Sequence, residues 1–93
     1  IKKKKGTASF LTVDSKTELS TTFGKAGGTE TFYVKTDGES WVTWGLPTWC
    51  KVKNKKENSF ELECAKNTTG SFRSDYLKVK SGSKEVKIIV RQN

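Results

Sequence analysis

The 93-residue sequence has no histidine, no methionine, one proline and two cysteines. Without an imidazole, the Ser-His-Asp and Cys-His arrangements of nucleophilic catalysis are excluded, and so are zinc sites built on histidine. Two cysteines alone make a poor metal site, so no metal and no other cofactor is expected. No apolar run approaches the roughly 18 residues of a membrane-crossing helix, and no membrane insertion is expected. Neither an RNP-type run nor a zinc-finger spacing is present, which leaves nucleic acid outside the expected partners. Glu61 and Glu63 are the closest carboxylates on one strand face. Each faces a lysine in the register argued below, whereas a general acid needs burial that raises its pKa. No catalytic residue is assigned.

Threonine, serine and glycine are plentiful, and with the aromatic residues they favour strands and turns over helices. The chain is long enough for one domain with a modest core. Its formal charge of +8 raises the question of an anionic partner. Lys51, Lys53, Lys78, Lys80 and Lys87 alternate with apolar residues, which places them on the wet faces of strands. The run Lys2 to Lys5 repels itself, and Gly6 adds freedom, so residues 1–7 read as a basic lead or linker before a single domain over 8–93. The sequence begins at Ile1 without a signal peptide, which is the expectation for a domain taken from a longer protein.

Taken in order, Ala8 to Val13 predicts a short first strand and Glu18 to Phe23 a polar, edge-like second. Gly24, Gly27 and Gly28 turn the chain into Thr29 to Thr36, where Phe32 and Val34 share one side. Asp37-Gly38 is a strong turn signal. Ser40 to Trp44 follows, until Pro47, which cannot donate to a ladder and restricts Leu46 before it. Setting Cys50 opposite Cys64 pairs Val52 with Leu62, Lys51 with Glu63 and Lys53 with Glu61, so one register satisfies apolar, charged and cysteine pairs together. The loop Asn54 to Phe60 reads as long, polar and mobile. In the final hairpin, the turn Ser81-Gly82-Ser83-Lys84 sets Lys80 opposite Glu85, Val79 opposite Val86 and Leu77 opposite Ile88. The expected core is Phe32, Val34, Trp41, Trp49, Leu62, Leu77, Val79, Val86, Ile88 and Val90. Seven or eight short strands with no helical period predict an all-β antiparallel β-sandwich, with a small barrel as the alternative.

Gly28, the Thr31 to Val34 run, Ser40-Trp41, Trp49-Cys50, Asn67, Arg73 with Leu77 and Val79, and Val90-Arg91-Gln92 occur in an order and spacing that resembles the BACON domain. This is the Bacteroidetes-associated, carbohydrate-binding, often N-terminal module. The likeness covers residues 8–93; Cys50, where an aliphatic residue is commoner, and the long loop after Lys53 depart from the pattern. The resemblance implies an immunoglobulin-like sandwich and a non-catalytic accessory domain of a secreted or surface protein. Its partners would be glycans or mucin, or neighbouring domains of the parent. It also implies an extracytoplasmic location. The alternatives are a structural spacer or protein-interaction domain, expected to be monomeric in isolation, and an electrostatic polyanion binder using Lys2 to Lys5 and the strand lysines.

Sugar rings stack their C–H faces on flat aromatic rings. Trp44, Tyr33 and Tyr76 have outward parity on their strands and are the carbohydrate-binding candidates, whereas Trp41 and Trp49 match core positions. Cys50 and Cys64 face each other either as a disulfide in an exported protein or as two reduced, buried thiols, and the residues leave both open. Asn67-Thr68-Thr69 satisfies the N-x-T sequon, with a structural turn role favoured for Asn67. Arg73 is expected to anchor a loop carbonyl or an acidic group.

Overall fold

The computed structural model describes residues 8–38 and 40–93. The run Lys2 to Lys5 and the expected linker over 1–7 lie outside the described residues. Eight strands follow one another: β1 (Leu11–Val13), β2 (Glu18–Phe23), β3 (Gly28–Thr36), β4 (Val42–Trp44), β5 (Cys50–Lys53), β6 (Ser59–Cys64), β7 (Arg73–Ser81) and β8 (Lys84–Gln92). They form two four-stranded sheets, ordered β1-β3-β6-β5 and β2-β8-β7-β4, and among the described residues there is no helix. The molecule is an all-β sandwich. Its pairings are antiparallel except that β2 runs parallel to β8, from Glu18 opposite Lys87 to Phe23 opposite Gln92.

The β7–β8 hairpin has the register that its alternation dictates, with Leu77 opposite Ile88, Val79 opposite Val86 and Lys80 opposite Glu85. Gly82, at φ 58°, takes the first central position of the two-residue turn, where a positive φ is needed and glycine supplies it without strain. Leu77, Val79, Val86, Ile88 and Val90 are completely buried. At about 1.5–3 kcal/mol for each fully buried aliphatic side chain, this hairpin supplies much of the core's stabilisation. The β5–β6 hairpin also has its expected register, Cys50 opposite Cys64 through Lys53 opposite Glu61.

Several details differ from the sequence expectation. Phe60 belongs to β6 and is fully buried, stacked on Phe32 with ring centroids 5.4 Å apart and tilted against Trp41 at 5.6 Å. The loop before it is tied down rather than mobile. Glu57 O accepts the Trp41 indole N–H at 2.7 Å, Asn58 O accepts Val34 N–H at 2.8 Å, and Lys55 Nζ donates to Trp41 O at 2.9 Å. β1 starts three residues late because the Ser9 and Phe10 amides donate to the Asp37 carboxylate instead of to a ladder. β4 omits Ser40 and Trp41; the Ser40 carbonyl accepts the Ser81 hydroxyl at 2.7 Å and the Trp41 carbonyl accepts Lys55 Nζ. Leu11, Val13, Phe23 and Cys64 join the expected core, while Trp49 is half-buried and packs on its margin.

Candidate functional site

Strand parity divides the three exposed aromatic candidates between two surfaces. Trp44 (55% exposed) and Tyr76 (40%) point outward from the β2-β8-β7-β4 sheet, whereas Tyr33 (64%) points outward from the other sheet. Tyr33 therefore cannot share a site with the other two. It lies instead beside a groove of about 390 Å³ lined by Thr12, Asp14, Ser15, Lys35 and Asn58. There the Asp14 carboxylate accepts Tyr33 N–H at 2.9 Å.

Trp44 stands opposite Lys78, and Tyr76 lies two residues from Lys78 on β7. The two rings are thus diagonal neighbours, roughly 7–8 Å apart at the backbone of a regular antiparallel pair. The same register continues across the sheet from Lys78 to Lys87 and Glu18, from Tyr76 to Ile89 and Ser20, and from Val42 through Lys80 to Glu85. Every second residue faces water, which is why lysines and aromatic rings alternate over one surface. Lys80 Nζ lies 4.5 Å from the Trp44 ring centroid, and Lys87 Nζ lies 4.6 Å from that of Tyr76. Glu85 bridges Lys78 at 3.2 Å and Lys80 at 3.7 Å. The Lys78 hydrogen bond, reinforced by the charges of both lysines, holds the Glu85 carboxyl below its usual range. The sequence offered the strand lysines only as a polyanion surface, apart from the aromatic candidates, and did not offer Val42; placing β4 beside β7 brings Trp44 and Val42 to the lysines.

Several of the residues that carry the family resemblance are buried. Gln92 is fully buried, donates to Gly24 O at 3.1 Å and Ala65 O at 2.8 Å, and accepts Arg73 Nε at 2.8 Å. Arg73 also lies over the Trp49 ring, its Cζ 4.4 Å from the centroid. Asn67, 2% exposed, donates to Ser71 O at 2.7 Å and Asn93 O at 3.2 Å, and its Oδ1 accepts from both the amide and hydroxyl of Thr69. That geometry makes Asn67 a turn anchor and turns its amide away from solvent. Gly27, not Gly28, is the demanding glycine. It has φ 85°, and a Cβ there would meet Cys64 O at 2.4 Å.

Cys50 and Cys64 meet beside this end, under a groove of about 460 Å³ that Trp49 and Glu63 also line. Their sulfurs are 2.9 Å apart, and desolvation pushes both thiols up. Glu63 is bound by Lys51 at 3.2 Å and Lys53 at 3.3 Å, whose hydrogen bonds hold its carboxyl below the usual range. Glu61 takes Asn54 Nδ2 at 2.9 Å rather than its register partner Lys53, which reaches diagonally. Among the described residues no group of three His, Cys, Asp or Glu side chains is placed to hold a metal ion.

No protein-family model matches the chain, and no curated protein sequence matches it. Among solved structures, the fold is similar to part of an endo-fucoidan hydrolase from glycoside hydrolase family 107, with a TM-score of 0.63 and 14% identity over 92% of this chain and 13% of that one. It is also similar to part of a Bacteroides ovatus GH5 xyloglucanase in complex with a XXXG heptasaccharide, with a TM-score of 0.70 and 22% identity over 90% of this chain and 19% of that one. The chain thus spans less than a fifth of either carbohydrate-active enzyme, and what it shares with a segment of each is the two-sheet sandwich.

Proposed function

We infer that the chain is a BACON-like, non-catalytic accessory module of a larger extracytoplasmic protein, and that the outer face of the β2-β8-β7-β4 sheet makes its glycan contact. The observation that carries this reading is the placing of Trp44 and Tyr76 as diagonal neighbours on one face, each with a lysine ammonium beside its ring. A pyranose can stack on an exposed indole or phenol, while Lys78, Lys80 and Lys87 supply donors to its oxygens. Because those donors are cations, a sugar bearing carboxylate or sulfate is favoured over a neutral one. Drawing a lysine off an exposed ring costs only about 0.5–1 kcal/mol, which a charge-assisted hydrogen bond to the ligand offsets. Support also comes from the order of family-like residues along the chain and from the kind of enzyme whose segments share the fold.

Affinity electrophoresis against neutral polysaccharides, sulfated mucin and uronate-rich polysaccharide tests the reading. Retardation in acidic glycans is expected, weakening steeply as salt rises and disappearing in the Trp44→Ala, Tyr76→Ala double variant. Unretarded migration across the whole panel would sink glycan binding.

A second reading, a spacer that packs against neighbouring domains, is favoured by exposed phenylalanines at both ends of the sandwich. Phe72 (59% exposed) precedes β7 at one end, and Phe10 (45%) lies beside Thr36 and Ser81 at the other. It predicts that the isolated domain ignores sugars and binds an adjacent domain of its parent, with affinity lost in Phe10→Ser or Phe72→Ser.

A further inference from the structure

We propose that Cys50 and Cys64 are joined by a disulfide that pins the edge strand β5 to β6, installed while the chain folds in an oxidising compartment. The backbone already places the pair for bridging. Ala65 N–H donates to Trp49 O at 3.0 Å, so Trp49 and Ala65 are a hydrogen-bonded pair and the next pair inward, Cys50 opposite Cys64, is a non-hydrogen-bonded one. Directly opposed residues at such a position have Cα atoms roughly 4.5 Å apart, inside the span that a disulfide bridges without backbone movement. Both side chains have inward parity and their sulfurs are in direct contact at 2.9 Å.

As free thiols the two have no evident task. Cys64 is 3% exposed, and desolvation raises both thiols, so neither offers the thiolate that nucleophilic or metal-binding cysteines present. That same shielding dictates when the bond forms. A thiolate must attack the oxidant's disulfide, release one thiol and leave a mixed disulfide; the second cysteine then attacks its own partner's sulfur and releases the other thiol. The cysteines lose two electrons and two protons, and the oxidant, a low-molecular-weight disulfide or the disulfide of a thiol oxidoreductase, is reduced to two thiols. In the folded sandwich the raised thiols make the first attack slow. In the unfolded chain it proceeds at the rate of an ordinary cysteine.

The bridge would close the 14-residue separation between Cys50 and Cys64, across a hairpin whose strand β5 borders the sheet on one side only. It would also restrain Trp49, the ring on which Arg73 lies. None of this depends on glycan binding.

The test refolds the protein with glutathione disulfide, then labels it with a maleimide in denaturant, with and without prior reduction. The expected result is no label before reduction and two after, with the oxidised form melting about 10 °C or more above the reduced form. The Cys50→Ala, Cys64→Ala double variant should fold and show no redox-dependent melting. A separate sample folded in reductant and then exposed to the same oxidant should acquire the bond far more slowly. Two accessible thiols in the oxidatively refolded sample, or one glutathione adduct per chain with no bridge, would overturn the proposal. Equal melting temperatures for bridged and reduced protein would overturn its pinning role.

Discussion

Trp44 and Trp49 each carry a cation over the ring at nearly the same distance, Lys80 Nζ at 4.5 Å and Arg73 Cζ at 4.4 Å, yet the two contacts do different work. Arg73 is fixed from behind by fully buried Gln92, which is in turn fixed by two backbone carbonyls. Lys80 is held by Glu85, an exposed carboxylate that it shares with Lys78. A cation locked by buried hydrogen bonds is part of the scaffold, whereas one held by an exposed and screened ion pair can exchange its partner for a ligand. Ring and charge together therefore do not mark a binding site; what lies behind the charge does.

The comparison can be broken first at the scaffold end. Gly27→Ala forces a side chain into left-handed backbone and onto the Cys64 carbonyl. A loss of about 3 kcal/mol or more is expected, read as a fall in melting temperature of over 10 °C. Gln92→Leu keeps the volume but removes the buried hydrogen bonds to Gly24 O and Ala65 O and the acceptor of Arg73 Nε, at about 2–3 kcal/mol, and should alter Trp49 emission as Arg73 loosens. An unchanged melting curve for either variant would show that this end is not the rigid half of the pair.

On the sheet face the expected order reverses. Trp44→Ala should change stability by less than about 1 kcal/mol, since its ring is mostly in water, yet abolish retention in an acidic-glycan gel. Glu85→Gln should tighten that retention by freeing Lys78 and Lys80, an outcome that a purely stacking site would not give. The smallest effect is on pH dependence. Glu63 and Glu85 are held below the usual carboxylate range when folded, so their ion pairs stabilise the chain above that range and are lost as pH falls through it. The Glu63→Gln, Glu85→Gln double variant should lower the melting temperature slightly at neutral pH and leave it nearly unchanged in acid, which flattens a shallow slope.

The two hairpin registers were legible because in each of them charge, alternation and turn chemistry select the same pairing. Phe60 could have been found by counting back in twos from Leu62, but the polar run before it disguised the start of β6. The parallel partnership of β2 with β8 joins segments far apart in the chain, and no local pattern announces it. Gln92 and Asn67 evade any apolar-inside rule because their burial is supported by carbonyls that only the folded chain brings together. Trp44, Tyr33 and Tyr76 were correctly given outward parity. Which of them share a surface depends on sheet order, and parity does not encode that.

The β2–β8 ladder also bears on how the module behaves under tension. Its strands run the same way over six paired residues, with Glu18 opposite Lys87 at one end and Phe23 opposite Gln92 at the other. Traction applied before Glu18 and after Gln92 acts along this ladder in shear, straining its hydrogen bonds together instead of peeling them one by one. Drawn at those two points, the sandwich would lengthen little before the whole ladder gave way at once.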